Sequence, residues 1–368
     1  MNDFIRIYIL PGAMLQSVII AGGYGTGREV VEYFTTRGLY SGIFGIIVAT
    51  LCMALVFMVS LEIARVYKVY DYRNFFKVLL GRGWFIYEIL VVILFMLVFA
   101  VIGAAAGEVL QNELGLHPMA GVGLMLLTVS VLVFFGRELI TRLLTYWSLF
   151  LYVIFTAYVI AVIMVLSDEM GRGFAASEDS GDWFVRGGQY TFYNMTAIPV
   201  ILYSAMAIKT RRQAMIAGAV GALIAILPGL ILHVSFAAQY PEILTSPLPI
   251  YAIFNELDIT LLKFAYLVML FGTFIETGAG NLQGFIERLD GWWRETRGVS
   301  LGRPVHAGVA VIAMGIAGGL SHLGMVALIA EGYGTLAWGF LVVYAIPLFT
   351  IGLYRLARPT TAPEGAPA

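Results

Sequence analysis

Ala21-Gly22-Gly23-Tyr24-Gly25-Thr26-Gly27-Arg28-Glu29 lies inside an apolar run that extends from 5 to 34. Glycine fills four of the six positions from 22 to 27, and each one costs a helix about 1 kcal/mol relative to alanine. The stretch therefore predicts a broken membrane helix. In lipid, the freed N–H and C=O groups need partners, so a break survives only where it is buried in protein or lines a cavity. Helix-forming residues resume at Arg28, which opens a helix start near mid-membrane. Its N–H groups suit a carboxylate or other anion, and the carbonyls ending the preceding half-helix suit a small cation. The plainer reading is a glycine notch for a neighbouring helix.

Working outward, the chain is 60% apolar and only 12% charged, with a mean hydropathy of +0.88. This is the composition of an all-α polytopic membrane protein. Cys52 is the single cysteine, which excludes internal disulfides and multi-cysteine metal sites. The first apolar run carries no small-residue cleavage site, so no cleaved leader is expected. Ten spans are expected, at 5–34, 40–66, 84–110, 118–135, 139–166, 190–208, 214–238, 260–285, 305–320 and 325–353. The basic, aromatic stretch 65–80 reads as a helix in the membrane interface, 247–257 as a second short amphipathic piece, and 167–189 as an extracellular linker. The tail 355–368 reads as disordered and cytoplasmic. With this map all but Arg28, Arg37, Arg172, Arg186 and Lys263 of the 22 Lys and Arg residues fall on one side, placing both termini in the cytoplasm.

The residues 1–166 and 190–354 match in plan. Each half has a full second span, a short interfacial piece (Asn74-Phe75-Phe76 and Ala252-Ile253-Phe254), a long third span and a short fourth one opening at Pro118 or Pro304. Five spans is an odd number, so the second half enters the membrane inverted, as in many secondary transporters. If the halves correspond, span six breaks where span one does. Tyr193-Asn194-Met195-Thr196-Ala197-Ile198-Pro199 supplies the proline, and Asn194 and Thr196 face either the loosened backbone or a ligand.

Gly25-Thr26-Gly27-Arg28-Glu29, together with Glu331-Gly332-Tyr333-Gly334 in span ten, resembles the YkvI-like bacterial membrane proteins. These are relatives of the amino acid–polyamine–organocation transporters and share the LeuT fold. The resemblance implies a 5+5 inverted repeat with spans one and six broken, a solute held between the two breaks, and an ion site between spans one and eight. It also implies a location in the bacterial inner membrane.

In span eight, Thr273, Glu276, Thr277 and Gly280 recur at helical spacing on one face. Hydroxyl and carboxylate oxygens suit Na⁺ better than a transition metal, and a buried carboxylate also suits H⁺; a structural carboxylate is the alternative. In the resembled fold this face approaches the carbonyls of Ala21 and Gly22. Glu29 is favoured in a first helical turn, and Arg28 pairs with Glu32 at i,i+4. Arg28, Glu29 and Glu331 are the candidate gate. His233 reads as a hydrogen-bonded interior histidine, and Glu62, Glu88 and Lys263 as snorkelling span-end residues.

No enzyme signature is present, and the basic residues track topology, so nucleic acid is not a partner. The expected function is ion-coupled symport of a small organic solute, an amino acid or related compound, by alternating access. Gly22, Gly23, Tyr24, Gly25, Thr26 and Gly27 are expected to bind the solute, with Asn194 and Thr196 opposite. Ala21, Gly22, Thr273, Glu276 and Thr277 are expected to bind Na⁺ or H⁺, with no other cofactor. The alternatives are a non-transporting sensor with the same fold and a passive channel. The partners are the solute and the bilayer, and the sequence assigns no oligomeric state.

Overall fold

The computed structural model describes residues 2–20, 22–135 and 137–358. Ala21 and the tail from 359 onward lie outside them. Every regular element among the described residues is helical. Six helices there are long and apolar enough to cross a membrane: Leu39–Tyr67, Tyr72–Leu114, Arg211–Gln239, Thr260–Arg294, Pro304–Ser321 and Met325–Ala357. A seventh forms if Phe150–Val165 and Ser167–Ala175, bent by 75°, count as one. Of the other apolar stretches, the first is interrupted at its glycines and 183–207 changes helix type midway.

Several boundaries differ from the expected ones. The linker 167–189 is not all loop: it contains the helix Ser167–Ala175, and Trp183 already begins the helix leading into 190–208. Nothing stops span eight at 285. It runs on to Arg297, where Gly298 at φ 74° ends it. Met325–Ala357 turns π-helical three times, over Leu328–Tyr333, Leu341–Ala345 and Leu348–Gly352. The expected interfacial helix is Tyr72–Leu80, capped by Asp71, whose carboxylate accepts from the Asn74 amide at 2.9 Å. Its apolar residues Phe75, Phe76 and Leu79 are buried in protein rather than spread on lipid.

The expected snorkelling residues are instead paired. Glu62 takes two bonds from Arg65 at 2.6 and 2.8 Å, Glu88 pairs with Arg288 at 2.8 Å, and Lys263 with Glu113 at 2.7 Å. His233 is the expected interior histidine. It is fully buried, with Nδ1 2.9 Å from the Thr35 hydroxyl and Nε2 2.8 Å from the Leu39 carbonyl.

The first segment packs against 211–235 at a glycine crossing. A Cβ on Gly12 would stand 2.5 Å from the Gly221 Cα, so only glycine permits that approach. Higher in the same contact, Pro228 sits inside Arg211–Ser235 and offers no N–H to the Ile224 carbonyl one turn back. Gln16 supplies the missing donor, its Nε2 lying 2.8 Å from that carbonyl, while Tyr152 donates to its Oε1 at 2.8 Å.

Candidate functional site

The glycine break forms as expected. Leu10–Ile19 ends at Ile20, a single turn spans Gly22–Gly25, and Gly27 caps Arg28–Tyr33 from the left-handed region at φ 83°. Only glycine suits position 27, because a Cβ there would stand 2.6 Å from the Phe236 ring and 2.9 Å from Ile250. The break is buried, and its carbonyls from 23 to 26 all have partners. Gly23 accepts from the Thr26 hydroxyl (2.7 Å), Tyr24 from the Gly27 amide (2.9 Å), Gly25 from the Tyr266 hydroxyl (3.1 Å) and Thr26 from the Ile250 amide (3.0 Å). The Tyr24 hydroxyl has no partner among the described residues.

The expected gate residues separate. Arg28 does pair with Glu32, at 2.8 Å, and its other guanidinium nitrogen donates to the Leu244 and Ser246 carbonyls at 2.7 and 3.1 Å. Glu331 is exposed and does not join it. Glu29 is only 3% exposed, and its carboxylate packs against Gly23, in the space a side chain at 23 would need. The chain's own carboxylate therefore occupies the place by the glycines that the sequence left for an external anion. The Tyr193 hydroxyl donates to Glu29 Oε2 at 2.5 Å. Tyr193 is the middle ring of a column, with Tyr33 stacked at 5.4 Å and Tyr333 at 5.1 Å between centroids. The sequence pointed to Glu29 but not to these tyrosines.

On the opposite side, Trp183–Asn194 passes directly into a 3₁₀ helix, Met195–Ala207, with Pro199 inside it. The expected interruption is thus a change of helix type rather than an unwound break. The Asn194 amide donates to the Tyr190 carbonyl (3.0 Å) and the Thr196 hydroxyl to the Tyr193 carbonyl (2.7 Å), so both polar groups serve their own backbone.

Span eight divides its oxygens. Thr273 is buried against Gly25 and donates to the Met269 carbonyl at 2.9 Å. Glu276 lines a separate, largely apolar cavity of about 570 Å³ with Glu113, Phe264 and Phe271. The helical spacing held, but the expected shared face is split between two environments. Among the described residues no three His, Cys, Asp or Glu side chains come together as a metal group.

Two matching clusters bracket the breaks. In one, Phe76 stacks on Tyr87 at 3.6 Å and meets Tyr344 edge-on at 5.0 Å; the Tyr344 hydroxyl lies 2.9 Å from Ser60 Oγ. In the other, Phe254 packs on Tyr266 at 4.6 Å and on Tyr158 at 5.2 Å; the Tyr158 hydroxyl lies 2.7 Å from Ser235 Oγ. Each serine spends its proton on a carbonyl of its own helix, Val56 or Leu232, so the tyrosine is the donor in both. In each cluster that tyrosine comes from the other half of the chain. The clusters also reach the breaks: Tyr266 bonds the Gly25 carbonyl, and Tyr87 approaches the Thr196 carbonyl at 3.5 Å. Matching Asn74-Phe75-Phe76 with Ala252-Ile253-Phe254 already set Phe76 opposite Phe254; the hydroxyl partners carried no signal.

Solved structures of membrane transporters share this fold. Over 92% of this chain and 78% of the other, it is similar to a Na⁺-coupled sialic acid symporter in a substrate-bound outward-open state, with a TM-score of 0.61 and 14% identity. It is also similar to the Eremococcus coleocola manganese transporter. One structure, in complex with an aromatic bis-isothiourea substituted compound, gives a TM-score of 0.55 and 12% identity over 96% of this chain and 88% of that one. A mutant of the same transporter gives 0.52 and 12% over 98% and 89%. At these identities the likeness is one of fold. No protein-family model matches the chain, and no curated protein matches it.

Proposed function

We propose that this chain is an ion-coupled secondary transporter of a small organic solute, an amino acid or related compound, working by alternating access. In this reading, residues 1–166 and 190–354 are the two halves of a ten-span 5+5 inverted repeat in a bacterial inner membrane, with both termini cytoplasmic. The exchanged clusters carry the reading: a two-fold relation that swaps the halves turns Ser60, Phe76, Tyr87 and Tyr344 into Ser235, Phe254, Tyr266 and Tyr158. In this reading one cluster closes the site beside the glycine break and the other beside the helix change in segment six, as alternating access requires. The solute meets the backbone and side chains of 22–27, with Asn194 and Thr196 across from them. Na⁺ or H⁺ supplies the drive, with Thr273 beside the break and Glu276 and Thr277 a turn further along.

The test is uptake into proteoliposomes from an amino-acid panel, with a Na⁺ or pH gradient imposed. Accumulation against a gradient is expected, and Gly25→Leu is expected to abolish solute binding. Its side chain would enter space where even a Cβ stands 3.2 Å from Leu270 and 3.7 Å from Thr273. A sensor would bind solute without flux, and a channel would conduct without accumulation; either result overturns the reading.

A further inference from the structure

Glu29 is a buried carboxylate with no ion pair among the described residues. The neighbouring cation, Arg28, is taken up by Glu32 and by two carbonyls of the 242–246 loop. Among the described residues the titratable groups nearest Glu29 are otherwise phenols: Tyr24 and Tyr33 on its own segment, Tyr193 with Tyr190 on the sixth, and Tyr333 on the tenth; Arg186, also on the sixth, lies 3.7 Å from Asp182. On the seventh, His233 is committed to Thr35 and Leu39. Glu331, on the same helix as Tyr333, and Glu242, on the short turn 242–245, are exposed.

An ionised carboxylate in such a place, with one hydroxyl donor and no cation among the described residues, is strongly disfavoured. A neutral carboxylic acid escapes most of that cost. Tyr193 donates to Oε2, which leaves Oε1, the oxygen against Gly23, for the proton. A proton, unlike a sodium ion or a solute, needs no cavity.

The geometry points to Glu29, in place of the span-eight carboxylate Glu276, as the group that carries a coupling proton across the membrane, a role resting on the transporter reading above. When the site opens to one side, water removes the proton from Oε1, leaving the carboxylate and a proton in bulk water. Opening to the other side reverses the step. Tyr193 keeps its own proton throughout and donates to Oε2. The ring column closes over Glu29 in its neutral form, so crossing is tied to protonation.

Infrared difference spectroscopy of the full chain in lipid vesicles, stepped in pH without solute, reads the carboxyl directly. A carboxylic-acid C=O band is expected at neutral pH that vanishes in Glu29→Gln and persists in Glu276→Gln. In Tyr193→Phe it should move to higher frequency, because one hydrogen bond to the carbonyl oxygen is lost. A band unchanged in Glu29→Gln, or lost in Glu276→Gln, overturns the assignment. In the same vesicles, accumulation from the amino-acid panel is expected to follow a pH gradient and to fall more than tenfold in Glu29→Gln. Accumulation driven by Na⁺ alone and untouched by Glu29→Gln also overturns it. The infrared result needs no solute, so a panel with no transported member counts against the transporter reading and not against the proton on Glu29.

Discussion

The Phe76 and Phe254 clusters share a plan and differ in tightness. Phe76 lies nearly parallel to Tyr87, at 20° and 3.6 Å, and Phe75 adds a further edge contact to Tyr344 at 5.9 Å. Phe254 is tilted by 30° on Tyr266 at 4.6 Å, and beside it Tyr158, Tyr24 and Gly25 enclose a hollow of about 20 Å³. That hollow is on the order of one water molecule. The ties to the breaks differ in the opposite sense. The looser cluster holds the first break through a 3.1 Å hydrogen bond, whereas the tighter one reaches the sixth segment at only 3.5 Å. One cluster is held mainly by ring packing, and the other by a bond to the glycine turn with room left over. Under the alternating-access mechanism proposed above, the Phe254 cluster is expected to yield first.

The comparison breaks most readily at the phenylalanines. Phe76→Ala is expected to cost about 3–5 kcal/mol, as for other buried rings. Phe254→Ala should cost less, since that ring already borders empty space and has fewer contacts to lose. Thermal unfolding of the purified variants ranks them, and equal losses would mean that the two closures are equivalent. The exchanged tyrosines come next. Tyr344→Phe and Tyr158→Phe each remove one donor to a buried serine and should each cost about 1 kcal/mol. Similar values sharpen the two-fold relation; a loss in only one would break it. The smallest effects belong to the ties. Tyr266→Phe is expected to cost up to about 1 kcal/mol and Tyr87→Phe a few tenths, because a 3.5 Å contact is barely a hydrogen bond. Labelling of Cys52-free variants carrying single cysteines on either face should then show Tyr266→Phe loosening only the Phe254 side.

The glycine break was legible because its signal is local. Four glycines in six residues do not sustain a continuous helix, and Gly27 does adopt φ 83°. Helical spacing put Thr273 on one face of its helix, and only the resemblance turned that face toward the break, where Thr273 lies by Gly25. Spacing did not show that Glu276 would line a different cavity, because that depends on which neighbours flank the helix. Pro199 signalled disturbance in segment six but not that thirteen residues would continue as a 3₁₀ helix. The clusters were hidden by distance along the chain: Ser60 and Tyr344 are 284 positions apart, and Glu29 and Tyr193 are 164 apart. Nothing in the local pattern around Glu29 says which tyrosine will donate to it.

The bond between Gln16 and the carbonyl freed by Pro228 has a mechanical consequence. A proline-weakened helix ordinarily bends where its own ladder lacks a rung. Here the rung is supplied by another segment, so the weak point of 211–235 is splinted by the half-helix that leads into the glycine turn. Bending one strains the other, and the pair behaves as a single stiff lever whose far end carries the break.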